Sequence, residues 1–183
     1  MQYLSDEKSP SGILFTVSLL QNTYDKMLAN PETAIVYLEK ISDPGNLGTL
    51  VRTAAWFGIT SILLSPDCVD PYNPKTVRSS TGAIFICDMY RDIPFERVYA
   101  DFKKRKYQFI ATSPSNGIPL EHWRIPQRSL LFFGQEADGL SPNIVQKADI
   151  LLSIEGSGNI ESLNVSVSAG IIMHYLNKHM TES

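Results

Sequence analysis

From residue 34 onward, short apolar runs and amphipathic stretches take turns, and this alternation constrains the fold more than any other feature of the chain. Residues 34–38, 61–64, 83–86, 108–111, 129–133 and 150–154 are brief and mostly apolar, and they predict strands. Pro66 closes the second of these. Residues 47–57, 74–80, 95–106, 142–147 and 165–179 carry helical spacing, and 95–106 ends in basic residues that suit the negative end of a helix dipole. Strands joined through helices run parallel and are covered on both faces. The expected fold class is therefore α/β, a mostly parallel sheet with helices on both faces, whose ligands collect at the carboxyl ends of strands. Residues 1–12 read as a polar lead-in, 13–19 as β-like, and 21–30 as a polar connector with room for a short helical turn.

The bulk numbers set the bounds. A chain of 183 residues forms one domain with a sizeable core, and 43% hydrophobic against 19% charged residues excludes a disordered chain. The net charge of −3 excludes a general polyanion binder, so any nucleic acid must be met by a local basic patch. Cys68 and Cys87 form no CxxC pair, which excludes a zinc knuckle or disulfide framework, and no metal site is expected. Reduced, semi-buried thiols in a cytoplasmic protein are the reading. No apolar run approaches the length of a membrane span, and the N-terminus lacks a secretory pattern, so Asn164-Val165-Ser166 is a chance match to a glycosylation sequon.

Three polar motifs stand directly after predicted strands, where functional groups tend to sit. The first runs Asp43-Pro44-Gly45-Asn46-Leu47-Gly48-Thr49-Leu50-Val51-Arg52. Leu47, Leu50, Val51, Ala54, Ala55 and Gly58 share one helical face, leaving Gly48, Thr49, Arg52 and Trp56 on the other. Asn46 falls at the helix entrance, an N-cap position, and Gly48 leaves room one turn before Arg52 for a bulky group to reach the guanidinium. A capped helix with one exposed arginine explains the same spacing. The second motif is Phe133-Gly134-Gln135-Glu136-Ala137-Asp138-Gly139-Leu140. Its glycines permit close backbone approach, and Glu136 is either a site carboxylate or a cap for the helix that follows. The third, residues 154–166, passes an irregular loop at Gly156, Gly158 and Asn159 and enters a long helix through Ser162-Leu163-Asn164-Val165-Ser166. It lacks the third glycine of a dinucleotide loop. The helix start offers N–H donors to an anionic or carbonyl-rich ligand, while Ser166, Ala169 and Gly170 allow close packing. Elsewhere, Trp123 within His122-Trp123-Arg124 is a packing residue or a base-stacking one, Lys103-Lys104-Arg105-Lys106 is a solvated helix end or an RNA contact, and Arg78 is a candidate phosphate contact.

Taken together and in this order, the motifs resemble the three signatures of the SpoU (TrmH-type) RNA ribose 2′-O-methyltransferases, within the SPOUT superfamily. The resemblance covers residues 31–180, and Asn46, Gly48, Arg52, Ala54, Phe57 and Gly58 fall where the family motif has them. It implies a C-terminal deep trefoil knot, which the base rate for chain topologies argues against. It implies S-adenosyl-L-methionine as methyl donor, a tRNA or rRNA substrate, and a homodimer whose site combines both subunits. Thr112, Gly134, Ile154 and Leu163 look like the cofactor-contacting residues. Arg52, Asn46, Glu136, Ser162 and Asn164 look like the catalytic set, with Arg52 and Arg78 on RNA. Residues 1–30 look like a remnant of the linker to an N-terminal RNA-binding domain, and 31–183 like the methyltransferase domain. Arg52 is either the base, as the family proposal has it, or a guanidinium that binds phosphate and stabilises the developing alkoxide, because an ordinary arginine stays protonated. A base-modifying relative, such as a guanine N1-methyltransferase, and a scaffold that has lost catalysis are the alternatives.

Overall fold

The computed structural model describes residue 18 and residues 23–113, 116–135, 138–157, 160 and 162–180. Among these, seven strands form one sheet in which every pairing is parallel. They are β1 (Ala34–Glu39), β2 (Ser61–Leu64), β3 (Asp88–Tyr90), β4 (Gln108–Thr112), β5 (Ile118–Pro119), β6 (Ser129–Gly134) and β7 (Ile150–Ser153). Their order across the sheet is β3-β2-β1-β6-β4-β7-β5. The helices are α1 (Tyr24–Ala29), α2 (Pro44–Trp56), α3 (Pro74–Ser80), α4 (Phe95–Lys103), α5 (Pro142–Lys147) and α6 (Val165–Met180). None of the described helices is long and apolar enough to cross a membrane.

Alternate residues of each strand point to opposite faces, and each face finds its own helices. Val36, Leu38, Ile110, Leu131 and Phe133 pack in one cluster with Leu47, Leu50, Val51 and Ala54 of α2 and Ala169, Ile172, Met173 and Leu176 of α6. Ile35, Tyr37, Phe109, Leu130 and Phe132 pack on the other side with Phe95, Val98 and Phe102 of α4 and Ile144 of α5. Because helices cover both faces, all six positions of β1 and of β6 are buried, which is why these strands read as continuous apolar runs. Phe132 anchors the second cluster, with ring centroids 5.3 Å from Phe109, 5.4 Å from Tyr37 and 5.7 Å from Phe95. Each such pair adds about 0.5–1.5 kcal/mol beyond area burial.

Several expectations need correction. Residues 83–86 are not a strand. Thr81 and Gly82 take left-handed backbone (φ 50° and 86°) and turn the chain into a single 3-10 turn over Ala83–Phe85, with β3 following at Asp88–Tyr90. A four-residue apolar run carries too little periodicity to tell these apart. The short helical turn allowed for in residues 21–30 is present as α1, which buries Tyr24 and Met27. The helix expected over 95–106 stops at Lys103, and Lys106 turns the chain at φ 60°. Of the two readings of Trp123, packing holds and needs no correction: it is 3% exposed and stacks on Tyr175 of α6 at 6.0 Å, so no base can reach its face. The strand expected over 13–19 lies outside the described residues except for Ser18, which is not in a strand.

Candidate active site

Each polar motif leaves a strand whose carboxyl end lies at one edge of the sheet. Motif one follows β1, motif two follows β6 and motif three follows β7, and β1, β6, β4 and β7 are consecutive neighbours. Register brings Glu39 opposite Gly134, and Thr112 opposite Leu152. Strand order thus gathers segments more than a hundred residues apart.

Asp43, rather than Asn46, caps α2. Its Oδ1 accepts the Asn46 N–H at 2.8 Å, and Pro44 takes the first helical position. Lys75 of α3 reaches the other carboxylate oxygen at 2.8 Å. That bond, with the Asn46 N–H, holds the Asp43 carboxyl below the usual aspartate range. Asn46 is therefore inside the first turn, with its side chain released from capping. The Asn164 Nδ2 donates to Asn46 Oδ1 at 3.2 Å, and the Ser166 hydroxyl donates to the Asn46 carbonyl at 3.3 Å. Asn164 also caps α6, accepting the Ser166 N–H at 2.8 Å. One asparagine from each of motifs one and three is thus held side by side, with both helix starts at the same place.

From there α6 runs alongside α2 in the same direction, since Asn46 meets Asn164 at one end and Asn177 donates to the Phe57 carbonyl at 3.1 Å near the other. Arg52 projects from the exposed face of α2, and its Nη1 donates to Thr81 Oγ1 at 3.4 Å. Gly48 is not beside open space, as its face assignment suggested. It is buried under α3, and a Cβ there would sit 2.5 Å from the Thr76 carbonyl oxygen and 2.9 Å from Ser79 Cβ. Helical spacing identifies which residues share a face; it does not say that a second helix covers the polar one. Arg78, in the last turn of α3, is exposed.

Motif two is tightly folded back. A Cβ on Gly134 would collide with the Gly139 backbone and lie 2.5 Å from the Leu140 nitrogen, so only glycine fits. Gln135 and Gly139 close the turn, with the Gly139 N–H donating to the Gln135 carbonyl at 3.0 Å. Glu136 lies outside the described residues. Thr112 ends β4 with its hydroxyl 3.5 Å from the Phe132 carbonyl, Ile154 is half-buried just past β7, and Ser162 and Leu163 are exposed before α6. Sequence reasoning missed Glu39, a buried carboxylate at the carboxyl end of β1. It accepts the Ser141 N–H at 2.7 Å and so ties motif two to β1. It also missed the pairing of Ser166 with Asn46 and of Thr81 with Arg52. Ser166 was in view only as a small packing residue, and no local signal links partners 120 or 29 positions apart.

A parallel sheet that collects glycine-bearing loops and paired asparagines at its carboxyl edge, with an exposed arginine on the helix that starts there, defines an α/β domain with a ligand site at that edge. The chain belongs to the SpoU rRNA methylase family, whose model matches residues 33–174. An uncharacterised tRNA/rRNA methyltransferase of Synechocystis sp. is 31% identical over 169 residues, 91% of this chain and 60% of that protein. The Bacillus subtilis 23S rRNA guanosine-2′-O-methyltransferase RlmP is 33% identical over 144 residues, covering 78% and 57%. Among solved structures, the SpoU methyltransferase AviRb of Streptomyces viridochromogenes in complex with AdoMet matches at TM-score 0.74 and 27% identity, over 81% of this chain and 58% of that one. The AdoMet-bound rRNA methyltransferase of Sinorhizobium meliloti matches at TM-score 0.76 and 28% identity, over 80% and 56%. The chain thus spans about three fifths of the length of the relatives it matches.

Proposed function

We propose that the protein transfers a methyl group from S-adenosyl-L-methionine to a ribose 2′-hydroxyl of a structured tRNA or rRNA. The observation that carries this reading is the Asn164–Asn46 hydrogen bond, which couples motif three to the start of α2, the helix that also carries the exposed Arg52. The loops after β6, β4 and β7 fit a cofactor held largely by backbone. Gly134 admits no side chain between itself and Gly139, and Thr112, Ile154 and Leu163 border the same strand ends. When bound, the cofactor supplies a methyl group on a positively charged sulfur. The chain's own groups must then hold the ribose in line and stabilise the oxygen as its proton leaves. Arg52 takes the adjacent phosphate and the developing alkoxide, with Thr81 fixing its guanidinium. Asn46, Ser162 and Asn164 orient the sugar, Glu136 belongs to the same set, and Arg78 meets a neighbouring phosphate.

The reading includes a trefoil knot, a homodimer and a methyltransferase domain over residues 31–183, onto which α1 packs through Tyr24 and Met27. The insertion of β6 between β1 and β4, and the return of α6 from β7 to α2, supports the knot. Exposed Val167 and Ile171, one turn apart along α6, with Leu163 exposed just before that helix and Trp56 of α2 82% exposed, support a partner subunit there. Incubation of the protein with radiolabelled S-adenosylmethionine and total RNA, followed by mapping of alkali-resistant phosphodiester bonds, tests the activity. Label in RNA at an alkali-resistant bond is the expected result, and label on a base, or none at all, refutes it.

A further inference from the structure

Residues 103–128 hold six Lys and Arg against one acid, Glu121, whereas the other 157 residues hold ten Lys and Arg against eighteen acids. An acidic chain thus concentrates its positive charge in one stretch, and the fold gathers part of it in one place. Past the end of α4, the turn through Lys104, Arg105 and Lys106 lies against Arg128, which comes from the segment leading into β6. The Gln108 N–H donates to the Arg128 carbonyl at 2.9 Å, and Arg128 Nη1 donates to the Arg105 carbonyl at 3.2 Å. The Arg128 guanidinium lies 5.7 Å from the Tyr107 ring centroid. Lys104, Lys106 and Arg128 are exposed.

The acids that border this patch are engaged elsewhere. Asp149 is held by Lys103 and accepts the Phe109 N–H at 2.8 Å. The Glu32 carboxylate turns to Thr60 and to the Ser61 N–H. The Asp101 carboxylate faces Arg97 at 3.9 Å, and it is the Asp101 carbonyl that accepts from Arg105. Among the described residues, Lys104, Arg105, Lys106 and Arg128 form no ion pair. Complementing the helix dipole accounts for cations at the end of α4, but not for an arginine delivered from another segment.

We propose that this patch, at the amino ends of β4 and β6, grips the phosphate backbone of the RNA. The proposal rests on the RNA-methyltransferase reading, and it adds a second contact. The six-residue β6 separates the patch from the candidate active site by roughly 17–20 Å, so it serves a folded RNA and adds nothing for a mononucleotide. Lysines and arginine with no ion pairs attract phosphate without reading sequence.

Filter binding of unfractionated tRNA across a KCl series tests the proposal without requiring methyl transfer. The Lys104→Glu/Lys106→Glu variant should bind about tenfold more weakly near 0.1 M salt, with the slope of log affinity against log salt shallower by about 1.4–1.8. Its Tm and its affinity for S-adenosylmethionine should match the wild type. In turnover, KM for RNA should rise while kcat at saturating RNA is retained. Arg91→Glu, a reversal just past β3 at the other side of the sheet, should change neither RNA affinity nor the salt slope. Equal binding by wild type and the double variant overturns the patch alone, as does equal weakening by Arg91→Glu, which would make net charge the cause. A wild type that binds no folded RNA overturns the patch together with the reading beneath it.

Discussion

Replacing Gly48 with alanine opposes two effects of opposite sign on one atom. Alanine is the better helix former, and in the middle of a helix the exchange favours folding by about 0.8–1.0 kcal/mol. Against this, the new Cβ would stand 2.5 Å from the Thr76 carbonyl oxygen and would overlap the Ser79 hydroxyl. The carbonyl is backbone and cannot rotate away, so α3 must withdraw by roughly 1 Å to restore ordinary contact distance. Such overpacking costs typically 1–3 kcal/mol. Moving α3 also strains the hydrogen bond from Ser79 Oγ to the Pro44 carbonyl, now 3.3 Å, a bond worth about 0.5–1.5 kcal/mol. Packing wins, and the net expectation is a destabilisation of about 2 kcal/mol, which at this chain length lowers Tm by roughly 4–8 °C. Thermal melts followed by circular dichroism, with urea titrations to confirm an unchanged m-value, make the measurement. Adding Ser79→Ala should recover only part of the loss, because Thr76 still blocks the Cβ. A Gly48→Ala protein as stable as the wild type, or more stable, would refute the close α2–α3 packing and the argument built on it.

Other expectations follow from single contacts. Arg52→Ala should abolish methyl transfer while leaving Tm nearly unchanged, since Arg52 is exposed on α2; Arg52→Lys should also be severely impaired, because it loses the planar fork. Near-normal turnover by either variant would show in a methyl-transfer assay, and for alanine it would remove Arg52 from the mechanism. Glu39→Ala strands the Ser141 N–H and should cost about 1–3 kcal/mol in urea unfolding, whereas Glu39→Gln keeps an acceptor and should cost less. The Asp43 carboxyl is depressed by Lys75 and the Asn46 N–H, so its stabilising contribution is present above the ordinary aspartate value near 3.9 and is lost as pH falls through the lower folded value. The Tm gap between wild type and Asp43→Asn should therefore hold at pH 7 and close progressively below about pH 4; a gap independent of pH would contradict the ion pair. Burial pushes the Cys87 thiol up to about 12 and raises Cys68 as well, so at pH 8 iodoacetamide should label both slowly in native protein and rapidly in urea. Labelling of native Cys87 at the rate of a free thiol, read by mass spectrometry, would refute its burial.

What could be read from the residues alone was local in origin. The apolar runs within Ala34–Glu39 and Ser129–Gly134 announce strands because a strand buried on both faces is apolar at most of its positions, Glu39 and Ser129 being buried polar exceptions here. Pro142–Lys147 is legible because proline at a first helical position and helical spacing are both short-range signals. The three motifs were likewise visible as glycines and polar residues placed after strands. What the tertiary structure alone decided was which surfaces meet. Gly48 looked exposed until α3 covered it, and it took the stacking of Trp123 on Tyr175 of α6 to choose packing over base stacking. Asn46 looked like a cap until Asp43 took that role and freed its amide for Asn164, 118 residues away. Strand order sets these encounters, by placing β6 between β1 and β4 and carrying α6 back to α2. Periodicity is a property of neighbours along the chain, whereas strand order is the outcome of all the packing faces competing at once, and no short window of sequence contains that competition.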